Sequence, residues 1–302
     1  MTFLLDNIGV SIVIPAFNAR FIKDTLEALA NQDCSGFEVI VVENGVEKPR
    51  LYDLLKIYQP VLDIHYIFQE APGLNNARNE GVKISRNNII ALTDDDCIPR
   101  CDWVRNVRHA HNIYSVASVI GGRVVLQPIG GEFPIWFLKP LRAYLAELNM
   151  GDFPKELSSQ EEYLVGANFS FRKEVFELVG GFPREIGIVG NNFQGNDELA
   201  FINKAKENGF KKLVYFPEME VFHQIPPERR SVDYLMKRAY GQGISDAKLI
   251  LLNPNSDIIS FLQNNLFGQE WNWEEMNREQ GRLDECFREE FRKNYMGCRI
   301  SY

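Results

Sequence analysis

Asn88-Ile89-Ile90-Ala91-Leu92-Thr93-Asp94-Asp95-Asp96-Cys97-Ile98-Pro99 joins an apolar run to three consecutive acids and a proline. Ile89, Ile90, Ala91 and Leu92 suit a strand covered on both faces, as in a parallel sheet. Ligands of such sheets gather beyond the carboxyl ends of the strands, which places the acids in a binding crevice. Three neighbouring carboxylates repel one another unless solvent or a cation intervenes, and hard oxygen donors suit Mg²⁺ or Mn²⁺. Two readings follow: a metal and diphosphate site, or a solvated turn, where Asp is common. The segments on either side decide between them.

Upstream, Val10 to Ile14 reads as a strand halted by Pro15, and Ile22, Leu26, Leu29 and Ala30 recur at helical spacing. Phe37 to Val42 is a second apolar strand ending at Glu43-Asn44-Gly45, where Asn-Gly favours a tight turn. A helix through Leu51, Leu54, Leu55 and Tyr58, a strand from Ile64 to Phe68, and a helix through Leu74, Ala77, Gly81 and Ile84 follow. Alternation at this pitch implies right-handed crossovers and a mostly parallel central sheet flanked by helices, an α/β fold whose first hundred residues form a nucleotide-binding half.

Four blocks, Val10-Ser11-Ile12-Val13-Ile14-Pro15-Ala16-Phe17-Asn18, Val41-Val42-Glu43-Asn44-Gly45, Gly73-Leu74-Asn75-Asn76-Ala77-Arg78-Asn79 and Thr93 to Pro99, resemble in order and spacing the family-2 glycosyltransferases of the GT-A (Rossmann-like) fold. The resemblance covers about residues 8 to 250. It implies that Pro15, Ala16 and Phe17 line the base pocket and that Glu43, where the family usually has Asp, reads the base. The triplet holds the family's DxD motif, which implies that Asp94 and Asp95 lie near ribose or phosphate and that Asp96 ligates Mn²⁺ or Mg²⁺. Asp197-Glu198 stands where the family usually has Glu-Asp at a helix start, with the order reversed. Glu198 is then expected to be the general base and Asp197 its supporting acid, although a helix N-cap is an ordinary role for Asp197. His223 matches a position that often supplies a further metal or diphosphate contact, and Asn168 lies in the part facing sugar and acceptor.

Other residues read two ways. Arg78 offers a planar fork suited to phosphate, or it braces its own turn. Residues 127 to 162 carry many prolines among aromatic residues and read as a long irregular insertion; within it Trp136 either stacks on an acceptor sugar or joins a small core beneath the loop. Arg229, Arg230, Lys237 and Arg238 form a basic cluster that faces a diphosphate, anionic headgroups or only water. His109 and His111 lack partners at ligand spacing and read as surface or packing residues.

Composition narrows the class. The 302 residues are 45% hydrophobic, ample for a core, and 33 Lys and Arg against 41 Asp and Glu give a formal charge of −8 that disfavours nucleic acid. Five scattered cysteines suggest a reducing compartment, and no apolar run spans a bilayer. The expectation is a soluble cytoplasmic protein compatible with peripheral contact at the inner face of the plasma membrane. Residues 1–252 are expected to form the transferase domain, nucleotide-binding over about 8–126 and acceptor-facing over about 127–252. Residues 253–302, with Leu283, Phe287 and Phe291 at helical spacing, are expected to form a helical extension.

The expected activity is metal-dependent, inverting transfer of a sugar from a UDP, dTDP or GDP donor to a glycan or lipid-linked hydroxyl acceptor, in polysaccharide or glycoconjugate synthesis. A nucleotidyltransferase is the enzymatic alternative, but Pro15-Ala16-Phe17-Asn18 is no Gly-rich phosphate loop. A non-catalytic sugar-nucleotide-binding scaffold is the other.

Overall fold

The computed structural model describes residues 8–17, 20–45, 49–157, 163–190 and 192–252. The extension expected over 253–302 lies outside the described residues, as does Asn18. Four strands, β1 (Val10–Ala16), β2 (Phe37–Asn44), β3 (Asp63–Gln69) and β4 (Ile89–Thr93), alternate with helices α1 (Ile22–Ala30), α2 (Pro49–Tyr58) and α3 (Leu74–Ile84). They lie in the order β3-β2-β1-β4, all parallel. Val13, Val41, Ile90 and Leu92 have no exposed surface, as strands covered on both faces require. Helix α3 comes so close to the sheet that a Cβ at Gly81 would sit 2.4 Å from Val13 Cγ1, which explains the small-residue face of that helix.

Beyond β4 the sheet is mixed. β5 (Cys97–Pro99), α4 (Trp103–Ile113), β6 (Val119–Pro128), α5 (Lys139–Arg142), β7 (Lys155–Leu157), β8 (Asn168–Arg172), α6 (Lys173–Val179), α7 (Asp197–Glu207), β9 (Leu213–Ile225) and α8 (Val232–Leu252) complete the described elements. The order continues β4-β8-β6-β9-β5, with β7 on β9; only β6 and β9 run parallel in this part. Parallel pairing therefore characterises β1 to β4, while the rest of the sheet mixes antiparallel pairs with the long parallel pair of β6 and β9.

The strand expected from Tyr163 is confined to Asn168–Arg172. Gly166 donates its N–H to Glu198 Oε1 at 2.9 Å and Asn168 N closes a turn on Val165 O, so these amides do not join a ladder. The insertion over 127–162 is less irregular than its composition implies. Phe137, Leu141 and Leu145 are buried with Leu126, Ile225, Leu235 and Ala239 in a second apolar cluster beneath α8, and Phe133, Trp136 and Tyr144 pack on it. The main core carries α7 on an aromatic stack: Phe182 lies parallel to Phe201 at 4.4 Å, and Phe201 also meets Phe169 and Phe171. Each such pair contributes about 0.5–1.5 kcal/mol beyond area burial.

Candidate active site

Two acid clusters form where β4 ends. At the first, Asp96 is 5% exposed and accepts from Arg229 Nη1 at 2.8 Å, with His223 Nε2 at 3.3 Å from its other oxygen. His223 reaches it because β9 pairs antiparallel with β5, setting Cys97 opposite His223. His223 Nδ1 lies 2.8 Å from the carbonyl of Leu145, which can only accept, so Nδ1 carries the hydrogen and Nε2 is presented to the cluster. Burial alone would raise the Asp96 pKa, but His223 and then Arg229 outweigh it and hold the carboxyl well below its ordinary range. Conversely, burial alone would lower the His223 pKa, and Asp96 reverses this and raises it.

At the second cluster one guanidinium serves three acids. Arg78, on α3 and 1% exposed, contacts Asp197 Oδ2 closely, Glu198 Oε1 at 3.2 Å and Asp94 Oδ1 at 3.7 Å. Helix α7 delivers Asp197 and Glu198 in its first turn, where the helix dipole favours negative charge, and Lys204 and Lys206 stand in its last turn. Asn196 caps it in a left-handed conformation, φ 66°. Burial first and the neighbouring Glu198 second push the Asp197 pKa up to about 7, against the pull of Arg78. Burial also raises that of Asp94, whose Oδ1 is enclosed with no hydrogen-bond donor in reach. The Asp197 side chain is 3% exposed and that of Glu198 19%, so Glu198 is the member of the pair that reaches solvent. A Cβ at Gly166 would fall 2.0 Å from Glu198 Oε1, so only glycine fits there.

The remaining expected residues scatter by role. Pro15 and Ala16 end β1 and Phe17 follows with 48% exposure beside the strand ends. Glu43 pairs in register with Ala16 but has no exposed surface, and its Oε2 accepts from the Tyr66 hydroxyl at 2.6 Å. In this conformation it offers no face to a base. Asp95 is partly exposed, and its carbonyl accepts from Thr25.

Three expectations need correction. Asn168 does not face sugar or acceptor: it is wholly buried, accepting from Trp103 Nε1 at 2.9 Å and donating to the carbonyls of Arg123 and Met219. Those bonds use its amide to pin β8, α4, β6 and β9 together. Arg78 is no free phosphate fork, because its terminal nitrogens are turned to the three acids. Nor do the four cations after His223 form one cluster: Arg230 clamps the carbonyls of Ile129, Gly131 and Glu132, Arg238 those of Tyr144 and Phe193, and Lys237 pairs with Asp233. Arg229 alone enters the site. Trp136 is half-buried, 5.6 Å from the Phe137 ring, in the small core beneath the loop. His111 is buried on Ser170 Oγ and His109 rests on Phe216, both packing residues.

The donor set of the first cluster suits a divalent cation. Asp96 supplies a hard oxygen, and His223 presents Nε2 while a carbonyl fixes its other nitrogen. Cys97 Sγ lies within 4.8 Å of their ligand atoms, and burial first, with the neighbouring acids, raises its pKa well above the ordinary thiol value.

This combination, an α/β sheet with acids at the strand ends and a second acid pair on a facing helix, defines a GT-A transferase. Residues 11–180, more than half of the chain, match the glycosyl transferase family 2 model, and the chain belongs to that family. It is 23% identical over 254 residues, 82% of its length and 79% of the other's, to a glucosyl-dolichyl phosphate glucuronosyltransferase of Haloferax volcanii. A 36% identical match to a chondroitin synthase of Pasteurella multocida spans 33% of this chain and only 11% of that protein. Among solved structures, residues 1–349 of S. aureus TarS with UDP-GlcNAc align at TM-score 0.63 and 15% identity, covering 98% of this chain and 91% of that one. The mannosyltransferase PcManGT of Pyrobaculum calidifontis, with GDP-Man and Mn²⁺, aligns at TM-score 0.63 and 16% identity over 97% and 86%. At these identities the likeness is one of fold. The chain is thus a glycosyltransferase, and a nucleotidyltransferase is set aside. No helix among the described residues is long and apolar enough to cross a membrane.

Proposed function

We propose that this glycosyltransferase moves a sugar from a nucleotide diphosphate donor to a hydroxyl acceptor in one inverting displacement, with Glu198 as general base. The observation that carries it is the pairing of the two clusters: an ionised Asp96 beside His223, and a partly open Glu198 that shares Arg78 with Asp94. Asp96 and His223 would hold Mn²⁺ or Mg²⁺, which when bound stabilises the departing diphosphate charge. Arg229 now neutralises these ligands and would give way to it. Phe17, half-exposed beside the strand ends, would line the base pocket. Glu198 is aimed by Arg78 and the Gly166 amide, both on Oε1. It takes the proton of the acceptor hydroxyl as that oxygen bonds to the anomeric carbon and the bond to the diphosphate breaks. Solved neighbours with UDP-GlcNAc and GDP-Man, and a relative named for a dolichyl phosphate glycan, support a nucleotide-sugar donor and a glycan or lipid-linked acceptor.

The first test is a thermal-shift screen of UDP, dTDP and GDP, each with Mn²⁺ and with chelator. Binding raises the melting temperature by mass action. One diphosphate should stabilise the protein in Mn²⁺ and much less in chelator; no metal-dependent shift from any of them would overturn the donor reading.

A further inference from the structure

The chain just before α7 holds two of the three described non-glycine residues with positive φ, Phe193 at 54° and Asn196 at 66°. Such a backbone persists only where its surroundings hold it. Besides the Asn192 side chain, which accepts from Gln194 N at 3.1 Å, one face of α8 holds it. Arg238 Nη1 donates to Phe193 O at 2.8 Å, and Gly241 lies so close that a Cβ there would meet the same oxygen at 2.4 Å. Lys248 Nζ reaches Gln194 Oε1 at 2.9 Å, and Gly195 N donates to Ser245 Oγ at 2.8 Å. At Asn196 both ends of the side-chain amide are taken: Oδ1 accepts from Gln242 Nε2 at 2.8 Å, and Nδ2 donates to Asp246 Oδ1 at 2.7 Å. Gln242 also donates to Asp246 at 3.0 Å, closing a three-residue ring of hydrogen bonds. Ser245 and Asp246 have no exposed surface.

This network is too costly to be incidental. A carboxylate buried inside a helix face destabilises the fold unless its hydrogen bonds compensate, and an apolar side chain would serve packing better. Its spacing, Arg238, Gly241, Gln242, Ser245 and Asp246, follows one helical stripe: the first two close on the Phe193 carbonyl, and the others meet the Gly195 amide and the two ends of the Asn196 side chain. The next two residues are Asp197 and Glu198. The Asn196 carbonyl opens α7 by accepting from Ala200 N at 2.9 Å, so the orientation of Asn196 sets where both acids point.

We propose that α8 is a positioning element of the transfer reaction: Asp246, seconded by Gln242 and Ser245, locks Asn196 so that Asp197 and Glu198 stand against Arg78. The inference rests on the reading of this acid pair as the proton-handling group. Asp246 is a positioning residue that touches neither donor nor acceptor. The donor side, on β1, β2 and β4, has no part in the network, so loss of the lock lowers turnover without weakening nucleotide binding.

The test uses the full chain with Asp246→Ala, Asp246→Asn, Gln242→Ala and Asn196→Gly. Glycine adopts the left-handed backbone without strain yet has no side chain to hold, which separates the tether from simple relief of strain. Amide hydrogen exchange over residues 195–200 needs no ligand and should rise about tenfold or more in Asp246→Ala and Asn196→Gly. Asp246→Asn, which keeps an acceptor oxygen, should stay near wild type. Affinity for UDP and GDP in Mn²⁺ should be unchanged. Hydrolysis of UDP-GlcNAc, UDP-glucose or GDP-mannose should lose kcat at constant KM. If Asn196→Gly matches wild type in exchange, the tether is overturned; if exchange rises but kcat holds, the positioning role is overturned. Should Asp246→Ala fail to fold, Gln242→Ala and Asn196→Gly decide alone. A wild type that binds no nucleotide would sink the donor reading, while the exchange result would still judge the tether.

Discussion

The two acid clusters beside β4 solve opposite problems. Around Asp96, Arg229 and His223 both face one carboxylate, which is held ionised. Around Arg78 acids outnumber cations: three carboxylates crowd one guanidinium, and burial raises Asp94 and Asp197. A carboxylate that must ligate should be anionic before its partner arrives, whereas Asp197, the buried acid beside Glu198, sits where a proton is tolerated. Two runs of adjacent acids in one chain therefore acquire different chemistry from their neighbours alone.

The largest effect should come from removing the base. Glu198→Gln keeps the hydrogen bonds to Arg78 and Gly166 but not the basicity, so single-turnover transfer should fall by about 10²–10⁴-fold with nucleotide affinity nearly unchanged. Asp197→Asn should disturb positioning more than proton transfer. If Asp197→Asn instead loses the pH-dependent step and Glu198→Gln transfers normally, the base is Asp197 and the contrast in exposure misleads.

A smaller but cleaner break targets the other cluster. Asp96→Asn removes the anionic ligand, and Arg229 and His223 then face each other with no carboxylate between them. The gain in nucleotide affinity on adding Mn²⁺ should vanish by calorimetric titration, while affinity in chelator stays the same. Equal metal-dependent affinity in both proteins would remove Asp96 from the metal site.

The smallest expected signal is in stability. Asp197 holds its proton in the native state up to about pH 7, against an ordinary value of 3.8. Between those values the native state binds more protons than the unfolded chain. The residue's contribution is thus complete below 3.8 and is lost as pH climbs to about 7. Asp197→Asn should flatten the fall of melting temperature across that window. Parallel curves for variant and wild type would show that Arg78 holds Asp197 ionised.

Periodicity and strand-end chemistry placed β1 to β4, α3 and the acid triplet, because apolar alternation is a local property of the chain, whereas the acids opening α7 stood out only through the family resemblance. Family membership was legible in the same short blocks. Direction and partnership were not. Asn168 reads as a polar residue near a sugar until four elements are seen to share its amide, and Arg78 as a phosphate ligand until three acids from β4 and α7 close on it. Arg229 is separated from Asp96 by 133 positions, and only the antiparallel pairing of β5 with β9 brings that stretch home. Asp246 gave no sign in the helical pattern of α8; a stripe of small and polar residues on a long helix acquires meaning only from the left-handed loop packed on it. Local sequence determines which elements form, whereas the charge state and task of a buried side chain depend on neighbours far along the chain, and tertiary packing alone selects them.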